Sequence, residues 1–367
     1  MKMKSYLNFF IALFGLSILI SCGNADDDIS FDLNQGELGL GEIPDDCLNF
    51  DDNQLILSIQ DQFTSLPSQV SILFRVSDTQ DNPIPNLTAN QFRIFEQGRN
   101  DDCFNAISSS ESFARISPNT QVFNNNTLLV LDLSNSVLQS SLEELKTAST
   151  SFVRNVIPTE ETDSFRMAIY WFDGEDELHL LNPLTSSVDE LTTAIASIDE
   201  DISNDPSTDL YGAVIKSTAI AEDLLGTTES NIISAASIVL FTDGTDQASR
   251  FTEESALNAV NNADRNISFF TIGLGSEIDT QILEEIGRTA SVVANDVEEL
   301  ETTFNQISAR VSNQANSFYL FEYCTPKRDG SGENNLVIQV SNPVPQGVLQ
   351  GAVQTSFNAD GFTGGCE

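Results

Sequence analysis

Between about residues 125 and 316, short apolar segments alternate with longer amphipathic ones. This alternation predicts an α/β fold with a doubly wound, mostly parallel sheet covered by helices on both faces. Segments of strand character, not helices, flank the region on both sides. With 24 phenylalanines and 40% hydrophobic residues, the chain also has the material for more than one core. The expectation is an α/β domain between small all-β segments, which form separate units or a single β-sandwich.

The elements follow in order. From 47 to 115 the strand candidates are Leu55 to Ile59, Val70 to Val76 and Phe92 to Phe95, punctuated by Pro83, Pro85 and Asn86. From 125 to 316 the strands are Thr127 to Leu131, Arg166 to Phe172, Ser237 to Phe241, Ile267 to Ile272 and Ser291 to Ala294. Helices are expected at Leu142 to Val156, Val188 to Ile198, Leu210 to Leu225, Glu253 to Ala263, Asp279 to Ile286 and Val297 to Gln314. In the last, Leu300, Phe304, Ile307 and Val311 recur at helical spacing and form one apolar stripe. From 317 to 367 three strands are expected, Phe318 to Tyr323, Asn335 to Val340 and Leu349 to Phe357.

Charge excludes whole classes of function. The chain of 367 residues carries 55 acidic and 16 basic residues, a formal net charge of −39 and a sequence pI near 4.1. Such a surface repels nucleic acid, and the adjacent pair Lys327 and Arg328 makes no basic patch.

The N-terminus reads as an address. Lys2 and Lys4 precede a mostly apolar run from Tyr6 to Ile20, a secretory signal over residues 1–21 that is short for a membrane span. Leu19-Ile20-Ser21-Cys22 resembles the lipobox of bacterial lipoproteins, which implies that Cys22 is acylated and becomes the new N-terminus. Residues 22–46 follow as an acidic tether with no Lys or Arg. Its first residues, Cys22-Gly23-Asn24-Ala25-Asp26-Asp27-Asp28, resemble the export signal that carries Bacteroidota lipoproteins to the outer face of the outer membrane. A merely solvated linker is the alternative reading. Both place the protein outside the cytoplasm, with lipid as the membrane anchor.

Apart from Cys22, four cysteines remain: Cys47, Cys103, Cys324 and Cys366. An even set in an oxidising compartment suggests two disulfides. If the last three strands run up, down and up, parity favours Cys324 with Cys366 and leaves Cys47 with Cys103. If the flanking segments merge into one sandwich, crossed pairings are expected instead.

The chemistry concentrates in three places. The strand Thr127 to Leu131 runs into Asp132-Leu133-Ser134-Asn135-Ser136, which offers one carboxylate and two hydroxyls at the carboxyl end of a buried strand. Asp205-Pro206-Ser207-Thr208-Asp209-Leu210-Tyr211-Gly212 opens a helix, and Thr242-Asp243-Gly244 ends another strand. Hard oxygen donors of this kind suit Mg²⁺, Mn²⁺ or Ca²⁺.

In this order the three motifs resemble the metal-ion-dependent adhesion site of von Willebrand factor A domains, which have a Rossmann-like fold. The resemblance covers about 190 residues. It implies hydroxyl coordination by Ser134, Ser136 and Thr208, with Asp132 and Asp243 binding directly or through water. It also implies a protein ligand that completes the shell with a carboxylate. The family's threonine usually follows a glycine-rich turn; here Asp205, Pro206 and Ser207 precede it, so Ser207 is a substitute donor. Residues 77–98 resemble the β-module that precedes such domains in bacterial secreted proteins.

Elsewhere the blander readings prevail. The lone His179, on an apparent strand, is expected to be a packed or surface residue, and Trp171 to be core. Asp173 to Glu177 reads as a solvated acidic loop in preference to a calcium site. Gly273-Leu274-Gly275 lacks the third glycine of a dinucleotide fingerprint and reads as a turn. The expected function is that of a non-enzymatic envelope lipoprotein that binds a protein through a divalent cation. A structural scaffold subunit of an envelope complex and a metal-assisted hydrolase are the alternatives.

Overall fold

The computed structural model describes residues 41–363, except 51–52, 99, 109–111, 118–122, 160–161, 163, 227–232 and 327–331. Cys22 with the signal segment, most of the acidic tether, the pair Lys327 and Arg328, and Cys366 lie outside the described residues.

Five strands come first: β1 (Leu55–Ser65), β2 (Gln69–Asp78), β3 (Phe92–Gln97), β4 (Asn105–Ile107) and β5 (Arg115–Ser117). The α/β region follows as β6 (Phe123–Asp132), α1 (Asn135–Ser140), α2 (Leu142–Val156), β7 (Phe165–Phe172), β8 (His179–Thr185), α3 (Val188–Ala196), α4 (Leu210–Gly226), β9 (Ile233–Thr242), α5 (Glu253–Asn262), β10 (Ile267–Leu274), α6 (Thr280–Ile286), β11 (Ala290–Ala294) and α7 (Leu300–Ala315). Then come β12 (Phe318–Cys324), β13 (Glu333–Val344) and β14 (Gly347–Asn358).

The central sheet has the order β11-β10-β9-β6-β7-β8, parallel throughout except for β8, which pairs antiparallel with β7. Strand pleating sends alternate residues to opposite faces, and both faces are covered. Leu129, Leu131, Val239, Phe241, Phe270 and Ile272 meet α1, α2 and α7 in one core. Leu128, Val130, Ile238, Leu240, Ile267 and Phe269 meet α4, α5 and α6 in another.

Helix α2 buries Leu142, Leu145, Ala148, Ser149, Phe152, Val153 and Val156, the three-and-four spacing of an amphipathic helix. In α7 the expected stripe of Leu300, Phe304, Ile307 and Val311 is wholly buried. Ser187, Thr252 and Asp279 cap α3, α5 and α6 by accepting backbone N–H bonds.

The flanking segments form one β-sandwich. Its sheets are ordered β1-β2-β12-β5 and β14-β13-β3-β4, so each mixes strands from both sides of the α/β region. Leu57, Ile72 and Phe321 of one sheet and Ile94, Ile338 and Val353 of the other share a core. The last three strands do not form a sheet of their own. Strand β12 pairs antiparallel with β2 and β5, while β13 and β14 pair with each other in the opposite sheet. Strand β12 enters the sandwich as the partner of β2, from the other side of the α/β region, which alternation within β12 alone could not reveal.

Cys47 and Cys103 form a disulfide, so merging into one sandwich does not cross this pairing. Cys324 is also disulfide-bonded.

The sandwich abuts the amino ends of the central strands. Phe165 at the start of β7, Ala235 near the start of β9, and Ala315 and Phe318 at the passage from α7 to β12 form one buried cluster. Strand β6 then carries the chain about 30 Å to its carboxyl end, away from the sandwich.

Candidate metal centre

The winding of the central sheet reverses beside β6: the chain proceeds from β6 to β7 on one side, and β9, β10 and β11 extend on the other. A crevice therefore opens beyond the carboxyl ends of β6 and β9, where ligands of such sheets collect. Leu131 and Phe241 are register partners, so Asp132 and Thr242 leave the sheet side by side. Leu133 anchors the exit by burying its side chain and donating its N–H to the Phe172 carbonyl at 2.9 Å.

Asp132 is fully buried. Its Oδ1 accepts the Ser134 N–H at 2.9 Å, and its Oδ2 accepts the Thr242 hydroxyl at 2.6 Å. The Ser134 and Ser136 hydroxyl oxygens lie 3.4 Å apart, and Ser136 Oγ donates to Asp243 Oδ1 at 2.8 Å.

Thr208 enters from the loop before α4. Its side chain is buried, and its carbonyl accepts N–H bonds from Gln247 at 2.9 Å and Ala248 at 3.1 Å. A Cβ added at Gly244 would lie 3.9 Å from Thr208 Oγ1, so this hydroxyl faces the Asp243 turn. The Asn135 N–H bonds the Pro206 carbonyl at 3.2 Å, closing the third side. All five residues singled out in the sequence thus border one crevice. Ser207 Oγ donates to Asp205 Oδ1 at 2.7 Å and its N–H bonds the same oxygen at 3.0 Å, which ties Ser207 to its own turn.

Burial pushes the Asp132 carboxyl up to about 7. The charge of Asp243 adds to the rise, and hydrogen bonds from Thr242 and Ser134 oppose it. Asp243 is also raised, first by burial and further by Glu277, against the Ser136 hydrogen bond.

Ion pairs among the described residues lie elsewhere, at Arg75 with Asp81, Arg115 with Glu322, Lys146 with Glu143, around His179 and at Lys216. Two desolvated carboxyls without a basic partner, beside three hydroxyl oxygens, match the donor chemistry of a hard divalent cation.

Two contributors were not assigned from sequence. Thr242, beside Asp243 in its motif, holds Asp132 through its hydroxyl. Asp173 reads as part of a solvated acidic loop, and the structure corrects this. It is fully buried, with Oδ2 accepting Ser203 Oγ at 2.7 Å and the N–H groups of Asn204 and Asp205 at 3.3 Å each. The physical reason lies in the 203–205 turn, whose unsatisfied amides need an anion. Asp173 also accepts the Asp209 N–H on its carbonyl at 2.8 Å, which fixes the residue after Thr208.

Trp171 is core, as expected, and His179 stacks on it. Gly273 lies near the end of β10, where a Cβ would come within 2.6 Å of Ile278 Cδ1, and Gly275 turns with φ +78°, so the segment is the turn expected of it.

Residues 126–307 match the family model described as the von Willebrand factor type A domain. No match was found among curated proteins. Similar solved structures include proximal thread matrix protein 1 of the mussel byssus, with a zinc-occupied MIDAS motif. It is 13% identical with a TM-score of 0.43 over 52% of this chain and 48% of that one, so the chain spans about half of that protein's length. BatB from Bacteroides thetaiotaomicron is 19% identical with a TM-score of 0.41, covering 52% of this chain and 99% of that one. The vWF domain of the type V pili tip protein Mfa5 from Porphyromonas gingivalis is 14% identical with a TM-score of 0.41, covering 52% and 95%.

Proposed function

We propose that this chain, whose residues 126–307 are a von Willebrand factor type A domain, is an envelope lipoprotein that binds a protein ligand in a cation-dependent way. Ser134, Ser136 and Thr208 would hold Mg²⁺, or Mn²⁺ or Ca²⁺, through their hydroxyls, and Asp132 and Asp243 directly or through water. The bound cation supplies an electrophilic position that a partner's carboxylate completes. Two carboxylates neutralise the dication, and the hydroxyls add donors without adding charge, so the position stays attractive to an anion.

The observation that carries this reading is the fully buried Asp132 beside the partly buried Asp243, convergent with the hydroxyls and, among the described residues, without a basic partner. The lipobox ending at Cys22 supports the anchor, since acyl chains on that cysteine would hold the protein at a membrane. Among the described residues no helix is long and apolar enough to cross a membrane. The tether enters the molecule at the sandwich, where Glu42 bridges to Gln354, so the crevice is presented at the opposite end of the central strands.

A pull-down from whole-cell and matrix extracts tests the reading. Partner recovery is expected in Mg²⁺ and should be lost both in EDTA and in Asp132→Ala. Equal recovery in all three would instead favour a scaffold role independent of metal.

A further inference from the structure

We infer that His179, Asp173 and Glu175 form a second divalent-cation site, of the zinc class and distinct from the hydroxyl-rich crevice. One ligating atom from each residue lies within 4.8 Å of the others. His179 is the chain's single histidine, and its side chain is four-fifths buried. It is the register partner of Trp171 across β7 and β8, and the two rings stack at 4.0 Å between centroids with planes 12° apart. The indole therefore fixes the plane of the imidazole.

Within that plane Nε2 is shut off from solvent and has no hydrogen-bond partner. It points instead between two carboxylates, 3.5 Å from Glu175 Oε2 and 4.0 Å from Asp173 Oδ1. An unpartnered buried nitrogen is costly. Its spacing is too long for good hydrogen bonds and close to that of two ligands of one tetrahedral ion: zinc bonds of about 2.1 Å place neighbouring donors about 3.4 Å apart.

The carboxylates are prepared for the role. Asp173 Oδ2 is occupied by Ser203, Asn204 and Asp205, whereas among the described residues Oδ1 receives the Glu175 N–H alone, at 2.8 Å, and keeps a lone pair for a cation. Arg250 clamps the loop by donating twice to the Gly174 carbonyl, at 2.9 and 2.7 Å, and Lys216 grips Asp176 at 2.7 Å. On the outer nitrogen, Nδ1, Glu177 Oε1 stands 3.9 Å away, the side on which metal-bound histidines carry an orienting carboxylate. Glu175 is partly exposed, leaving an open side for water.

Two carboxylates balance a dication, and the imidazole biases the site toward zinc-like metals over Mg²⁺ and Ca²⁺. The site shares a wall with the main crevice through the Asp209 N–H bond to the Asp173 carbonyl.

Because the chain has one histidine, ¹⁵N-histidine labelling of the full, chelator-stripped protein yields one pair of ring-nitrogen signals. With Mg²⁺ in excess, Zn²⁺ alone should move the Nε2 signal to its metal-bound position at one equivalent. It should do so equally in Asp132→Ala, and Zn²⁺ affinity should fall by about tenfold or more in Glu175→Gln. The inference is overturned if Nε2 does not respond to excess Zn²⁺, if it responds only while Asp132 is intact, or if Glu175→Gln leaves the affinity unchanged.

Discussion

Ser136 and Asp243, 107 residues apart in the chain, meet in a hydrogen bond of 2.8 Å from hydroxyl to carboxylate. The bond joins the first turn of α1, just after β6, to the turn after β9 across the reversal point of the sheet. Asp132 sits behind it, held by Thr242 at 2.6 Å. A dication placed among these oxygens answers the charge that the surrounding core has desolvated.

Metal should therefore stabilise the fold. A ligand that binds only the native state adds about 2.7 kcal/mol at a hundredfold excess over its Kd. Thermal unfolding should show a rise in Tm with Mg²⁺ for the wild type and none for Asp132→Ala or Asp243→Ala.

The pH dependence has a definite sign. The Asp132 carboxyl stands at 3.8 when solvated and at about 7 in the fold, so the metal-free native state binds the extra proton. Stability from this group is fully present below pH 3.8 and falls as pH rises toward 7. Mg²⁺ competes with that proton. Its stabilising effect should be larger at pH 8 than at pH 5, as read by denaturant unfolding with and without EDTA.

Much of this arrangement was legible from the chain itself. Helix α2 occupies Leu142 to Val156, as its amphipathic period predicts, because burial of one stripe and helical propensity act on the same residues. The crevice motifs were legible because each ends a buried strand or opens a helix.

What escaped depends on distant partners. Period-two alternation locates β12 and β3 but says nothing of β2 and β13, with which they pair. Strand β8 carries Pro183 and is half-exposed at the sheet edge, so its pattern is faint. Asp173 sits in an acid-rich run that looks solvated, and its burial follows from a turn 30 residues later.

Core packing gives a third prediction. Phe304 is fully buried, with its ring 5.8 Å from Phe241 and 6.1 Å from Phe152 between centroids, and it ties α7 to the strand that carries Thr242. Phe304→Ala should cost about 3–5 kcal/mol. Chemical denaturation with a tryptophan signal from Trp171 would read the loss.

The sandwich depends on its staple. The Cys47–Cys103 disulfide closes a loop over a sequence separation of 56 residues. Replacing both cysteines by serine should cost about 2–4 kcal/mol. Calorimetry should show the loss in the sandwich transition, while Mg²⁺ binding by the refolded protein stays intact.

The most direct test of the account is a Mg²⁺ titration by calorimetry on the chelator-stripped full chain, beside Asp132→Ala and Ser136→Ala. Saturable uptake of one Mg²⁺ is expected for the wild type, weaker uptake for Ser136→Ala and none for Asp132→Ala. Equal uptake by all three, or none by the wild type, would contradict it.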